Sequence, residues 1–299
     1  MMKSVKVGVN LPDGVHLEDL RQALETFQQD GFDTVEVYLP SFPMIIGGEL
    51  RPAAVEYVGT ILREFPFTYT GHVDTCLDLR NIEERELQEK VLFHSIDICA
   101  ELHLNPLTLH FEVASPFSQR EEAFFDSHRR AADYAAERGV LLCIENIEVE
   151  HYRRVIEMVQ RMNHPNFKMT LDVGHLYLAA NYYGHPYLEA VEECAPYVRH
   201  VHLSDNTGTY EPMRIQNLDL YRTLPMGYRF TFGRGDIHLP PLWGEIPMEQ
   251  IVRILTKHGY DGIYLCEYYS DRFKPFNRSV QENMRAVIEK VRQESAPQM

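Results

Sequence analysis

Eight short β-rich runs recur along the chain, alternating with longer stretches of helical spacing, and this order constrains the fold more than any single motif does. The runs are VKVGVN (5–10), DTVEVYL (33–39), FTYTGH (67–72), LTLHFE (107–112), VLLCIE (140–145), FKMTLD (167–172), VRHVHL (198–203) and GIYLCE (262–267). Between them lie helical patterns such as LEDLRQALETFQQDG, ERELQEKVLFHSIDICAELH, REEAFFDSHRRAADYAAERG and MEQIVRILTKHG. Three of these repeats close with a glycine just past the helix (Gly31, Gly139, Gly259), as a left-handed C-cap residue does. Strand and helix alternating eight times imply parallel strands joined by right-handed crossovers, and eight such units close a barrel. The expected architecture is an α/β single (β/α)8 TIM barrel, one domain over residues 1–299 with no linker or low-complexity tract. An apolar content of 44% over 299 residues is enough for one large core.

The one long break in the rhythm is residues 204–246, which join the seventh strand to the helix before the eighth. Connections much longer than about 15 residues in compact domains tend to be lids or binding loops, so this segment is expected to cover the pocket.

In such a barrel the chemistry sits at the C-terminal strand ends and the loops after them. Those ends supply His72, His110, Glu145, Asp172 with His175 in LDVGH, His202, and Glu267; the long loop adds Asp236 and His238 in GDIHLPP. One polar residue at one solvent-facing strand end is ordinary. Six successive ends carrying only His, Asp or Glu are not, and neutral imidazole with carboxylate is the usual non-sulfur ligand set of zinc, manganese or cobalt, with magnesium as a further alternative. Without a cation the clustered acids would repel one another. Asp172 by itself also reads as a helix N-cap, since Asp before a helical run is common.

Other residues carry weaker signals. His200 shares the face of His202 but lies deeper, as a core or supporting histidine. Glu36 on the second strand is either a pocket-facing substrate contact or an end-of-strand acid. Arg234 and Arg214 in the long loop are candidates for binding a substrate oxygen or phosphate, against the commoner reading of solvated loop charges. The glycines of GRG (Gly233, Gly235) are too few for a nucleotide site.

Charge and cysteine usage exclude several classes. With 29 Lys plus Arg against 44 Asp plus Glu the formal charge is -15, which repels phosphate backbones and argues against a nucleic-acid partner. Five cysteines form no CxxC pair, the N-terminal residues show no export-type apolar stretch, and no run is long enough to span a bilayer. A reduced cytoplasmic protein with no membrane association is the expectation.

The stretches GFDTVEVY, TLHFE, IEN, LDVGH, HVHLSDNTG and GEIPMEQIVRILTKHGYDGIYLCEYY together resemble the xylose isomerase-like TIM barrel superfamily, which includes sugar phosphate isomerases and epimerases, inosose dehydratase-like proteins and endonuclease IV. The resemblance runs over essentially the whole chain. In the epimerase branch one divalent ion is held by residues matching Glu145, Asp172, His202 and Glu267; the two glutamates are also acid and base on opposite faces of the substrate, and the counterpart of His175 touches substrate. The endonuclease IV branch adds matches to His72, His110, His175, Asp236 and His238 and holds three zinc ions. Aligning GEIPMEQI with the family's Gly-x-Ile turn puts DIHLPP just upstream, and Leu242-Trp243-Gly244 then stands where Gly-x-Gly is usual.

The resemblance implies a divalent-metal-dependent isomerase or epimerase, or a related lyase or dehydratase, acting on a small-molecule sugar or polyol with one to three ions, zinc foremost. The alternative it implies is an endonuclease IV-like multinuclear zinc phosphodiesterase. A homodimer is a further expectation.

Overall fold

The structure is a computed structural model and describes residues 5–12 and 14–295. Residues 1–4, 13 and 296–299 of the expected domain lie outside the described residues. Eight parallel strands close a barrel: β1 (Lys6–Asn10), β2 (Thr34–Tyr38), β3 (Thr68–His72), β4 (Leu104–His110), β5 (Leu142–Glu145), β6 (Phe167–Asp172), β7 (Val198–Leu203) and β8 (Ile263–Cys266). Each pairs with its neighbours in sequence and β8 pairs back onto β1, the (β/α)8 topology expected.

Helices fill the intervals, among them Leu20–Asp30, Arg85–Leu102, Ser118–Glu137, Tyr152–Met162 and Met248–Lys257. Gly31, Gly139 and Gly259 take φ of 87°, 70° and 77°, the left-handed region in which a Cβ is costly. Strand residues such as Val7, Val9, Val35, Leu107, Ile144 and Leu171 are fully buried, each contributing on the order of 1.5–3 kcal/mol.

Two elements depart from expectation. β4 begins at Leu104, before the expected 107, and ends at His110 rather than 112, so Phe111 and Glu112 belong to the following loop. A two-stranded hairpin, Ile45–Ile46 with Glu49–Leu50, interrupts the connection after β2; strands of two residues are too short for alternation to register.

Strand register decides which ends meet. His110 pairs across from Glu145 and Asp172 from His202, whereas Glu145 pairs with Thr170, so the candidate ligands of β4 and β5 stand level with each other and those of β6 and β7 stand level two residues further along. The segment 204–246 is itself structured. Asp205 exchanges backbone hydrogen bonds with Leu239, and its carboxylate accepts the amides of Asn206, Gly244 and Ile246 at 2.8, 3.0 and 3.2 Å. This clasp joins HLSD to GEI and fixes where the segment leaves and rejoins the barrel. Leu242 there holds φ of 72°, the conformation that a glycine takes without strain.

Among the described residues no helix is long and apolar enough to cross a membrane. The five cysteines are unpaired, and all but Cys76 are buried.

Candidate metal centre

Donor atoms of Glu145, Asp172, His202 and Glu267 lie within 4.8 Å of one another, the first three buried and Glu267 partly exposed. His72, His110 and Glu145 form a second group on the same scale, and His175, Asp236 and His238 a third. All nine candidate ligands are thus gathered into three groups, the first two sharing Glu145. Six of them (His72, His110, His175, Asp236, His238, Glu267) line a cavity of about 430 Å³, and the other three are buried and do not line it.

Neighbouring groups fix which nitrogen each imidazole turns inward. His72 donates Nδ1–H to the Val73 carbonyl at 2.8 Å and presents Nε2 to Glu145 Oε2 at 3.3 Å. His175 donates Nδ1–H to the Asn146 carbonyl at 3.0 Å and turns Nε2 to Asp236 Oδ2 at 3.4 Å. His202 donates Nε2–H to Glu36 Oε2 at 3.3 Å, leaving Nδ1 between Glu145 Oε1 and Glu267 Oε2, each at 3.1 Å. A nitrogen lone pair facing two carboxylate oxygens requires a cation, a proton or a metal ion, between them.

The donor set passes a second test of fit. Asp236 Oδ1 is buried yet makes no hydrogen bond, although a buried carboxylate oxygen without a partner is costly, and the buried Glu267 Oε2 faces His202 Nδ1 at 3.1 Å. Both belong to the ligand groups. Electrostatics agree: burial, with the like charges of Glu267 and Glu145, pushes Asp172 up to about 7 against the pull of His175. Burial opposes charge on His72 and His238, but Glu145 holds the first up at about 9 and Asp236 the second at about 10. Protons on these imidazoles offset the acids, and they are the protons that a divalent ion would displace.

Asp172 is a helix cap and also stands among the four donors. Its Oδ1 accepts the His175 amide at 2.6 Å. Ser204 Oγ lies 3.3 Å from each of its oxygens, and Asn146 brackets its backbone, donating Nδ2–H to the Asp172 carbonyl at 2.9 Å and accepting its amide at 3.1 Å. Gly174 explains the spacing of LDVGH, because a Cβ there would sit 2.1 Å from Ser204 Oγ. Gly174→Ala is therefore expected to displace Ser204 from Asp172 and to destabilise the protein by about 1–3 kcal/mol, measurable as a fall in the urea midpoint.

Glu36, although buried, lines the cavity, and one of its oxygens takes hydrogen bonds from Thr70, His200 and His202 at 3.0, 3.3 and 3.3 Å. It orients His202, and His200 is its second imidazole donor. Arg234 does not line the cavity; its amide closes the turn onto the Arg229 carbonyl at 2.9 Å. Arg214, Tyr221, Arg222 and Arg229 of the long segment line it instead, from the short helices Met213–Gln216, Leu218–Thr223 and Met226–Phe232. Arg229 is committed to the Tyr221 hydroxyl at 2.7 Å and to the Asp236 carbonyl. Asn146, Ser204, Glu112 and Glu148 do not stand out by themselves in the sequence; the stretches IEN, HVHLSDNTG and TLHFE contain the first three, and nothing local marks Glu148.

The sequence profile of the xylose isomerase-like TIM barrel matches residues 24–291. The chain belongs to that family. A D-tagatose 3-epimerase-like protein of known crystal structure superposes with a TM-score of 0.73 at 19% identity, over 98% of this chain and 100% of its own. A family member from Mycobacterium smegmatis, solved in complex with magnesium, gives 0.72 at 16% identity over 97% and 100%. An uncharacterized protein of Methanocaldococcus jannaschii is 22% identical over 251 residues, 79% of this chain and 80% of its own. At such identities the likeness to the solved structures establishes the barrel of the family, not its chemistry.

Proposed function

We propose that the protein is a divalent-metal-dependent isomerase or epimerase of a small sugar or polyol, with a lyase or dehydratase as the nearest variant. The observation that carries this reading is the four-donor group with two glutamates, Glu145, Asp172, His202 and Glu267, set at the base of a small-molecule cavity. These four would hold the central ion, which when bound polarises adjacent hydroxyl and carbonyl oxygens and so acidifies the C–H between them. Zinc suits the imidazole-rich surroundings first, with manganese, cobalt and magnesium as alternatives.

Glu267 is the carboxylate of the four that reaches the cavity, and we assign it the removal of that proton. Glu145 is its partner acid. The Glu145 Oε2 oxygen lies 3.3 Å from Nε2 of His72 on the cavity wall, so this imidazole carries the proton between the buried carboxylate and the substrate. His175 offers Nε2 to a substrate oxygen. The lid helices exclude water while the proton is held.

The test is solvent exchange. Metal-loaded protein in deuterium oxide with D-tagatose, D-fructose, L-ribulose and scyllo-inosose is expected to incorporate deuterium next to the carbonyl of at least one of them. Absence of exchange into all four by fully loaded protein would count against the reading.

A multinuclear phosphodiesterase is the second reading, favoured by the groups His72–His110–Glu145 and His175–Asp236–His238. The charge of -15 turns it away from nucleic acid and toward a small phosphate ester. Three ions per chain together with hydrolysis of bis(p-nitrophenyl) phosphate would support it.

A further inference from the structure

Glu267 and Asp172 are held in place by different means. Asp172 has Ser204 at its carboxylate oxygens and Asn146 on both sides of its peptide group. The Glu267 carboxylate has His202 Nδ1 at 3.1 Å and His238 Nδ1 at 3.9 Å, both candidate ligands themselves. Among the described residues no side chain outside the ligand groups hydrogen-bonds to it, so its backbone has to place it.

That backbone lies just past the end of β8. The ladder between β1 and β8 runs from Lys6 opposite Ile263 to Val9 opposite Cys266 and stops there. On the β7 side the Glu267 amide extends the pairing by donating to the Leu203 carbonyl at 3.1 Å. On the β1 side a side chain takes over. Asn10 Oδ1 accepts the amide of Tyr268 at 3.1 Å, and the Asn10 carbonyl accepts the Ser270 hydroxyl at 3.3 Å. Tyr268 and Ser270 are buried, so water does not stand in for these bonds.

The orientation of the Asn10 carboxamide follows from its partner: a backbone N–H only donates, so the oxygen faces Tyr268. Its Nδ2 is left with the neighbouring Leu11 carbonyl at 3.4 Å, beyond the usual N–H···O range. Asn10 is itself fixed. It stands in register with Glu36 on β2, and the next amide, that of Leu11, donates to the Glu36 carbonyl at 2.9 Å. The residue after Glu267 is thereby tied to the same strand pair whose Glu36 accepts Nε2–H of His202. Asn146 does the same for Asp172, an asparagine at one strand end gripping the backbone beside a ligand on the adjacent strand.

We propose that Asn10 is a positioning residue, which holds Glu267 through the Tyr268 amide where it serves as metal ligand and as base. The base role rests on the isomerase reading; the ligand role does not.

The experiment compares wild type, Asn10→Ala and Asn10→Asp in three measurements: hydrogen exchange of the Tyr268 amide in chelator-treated protein, zinc affinity, and deuterium exchange into the sugars by metal-loaded protein. Asn10→Ala is expected to speed Tyr268 exchange by about tenfold. It is also expected to weaken zinc binding and to slow deuterium exchange into the sugar, each by roughly 10–100-fold, with KM unchanged. Asn10→Asp puts an oxygen back where Oδ1 stands and is expected to rescue all three, which a general loss of packing would not allow. Any of the three left unchanged in Asn10→Ala, or no rescue by Asn10→Asp, overturns the proposal. So does normal Tyr268 protection with raised KM in Asn10→Asp, which would make Asn10 a substrate contact instead. If wild type exchanges no sugar, the isomerase reading fails and the other two measurements decide: both weakened in Asn10→Ala and restored in Asn10→Asp supports the positioning role, and any other pattern overturns it. Thermal melts show whether Asn10→Ala folds; if it does not, Asn10→Ser, whose hydroxyl stops one bond short of Oδ1, replaces it.

Discussion

Asp172→Asn is expected to lower metal affinity by at least about 100-fold while leaving the barrel folded. Outer residues that merely orient a ligand already cost 10–100-fold when lost, roughly, so a direct carboxylate ligand sets that as a lower bound. Asn keeps the shape and remains a good N-cap, able to accept the His175 amide that Asp172 Oδ1 now takes at 2.6 Å. It also removes a charge that burial and the acids Glu267 and Glu145 make unfavourable when no cation is bound. Chelator-treated variant should therefore melt at or above the temperature of chelator-treated wild type, whereas added zinc should raise the melting temperature of wild type alone. Were Asp172 only a cap, the variant would bind zinc as wild type does.

Glu267→Gln and Glu145→Gln are each expected to slow deuterium exchange by about 10²–10⁴-fold, the usual contribution of a positioned acid or base. Gln retains an oxygen for the ion but cannot take up the proton. Exchange and metal content are to be measured on the same preparations, because both residues are also proposed ligands. Lost exchange with metal retained assigns the proton step to the carboxylate; lost exchange with lost metal assigns a ligand role only. Normal exchange in either variant removes that glutamate from the acid and base pair.

Much of the fold is legible because a closed parallel barrel repeats one local pattern, and its strand ends inherit the polar residues. Asp172 falls at the end of β6 and His202 within β7 because the periodicity of those runs, not any motif, determines the register between them. Short elements without period are lost: the hairpin at 45–50, and the three short helices of the long segment that decide whether Arg214 or Arg234 reaches the cavity. The supporting contacts are equally hidden. Asn146 brackets Asp172 from 26 positions away, and Glu36 reaches His202 from 166, pairings that exist only after the barrel closes. Leu242 is the reverse case, a visible departure from a Gly-x-Gly pattern whose backbone nonetheless keeps the left-handed turn, with φ of 72°.

The most direct test of the central claim is the metal content of protein purified without chelator and then equilibrated with zinc, manganese, cobalt or magnesium, measured per chain by inductively coupled plasma mass spectrometry. The four-donor group predicts at least one tightly held ion per chain, absent from Asp172→Asn. No ion retained by wild type under any of the four conditions, or equal retention by the variant, would contradict it.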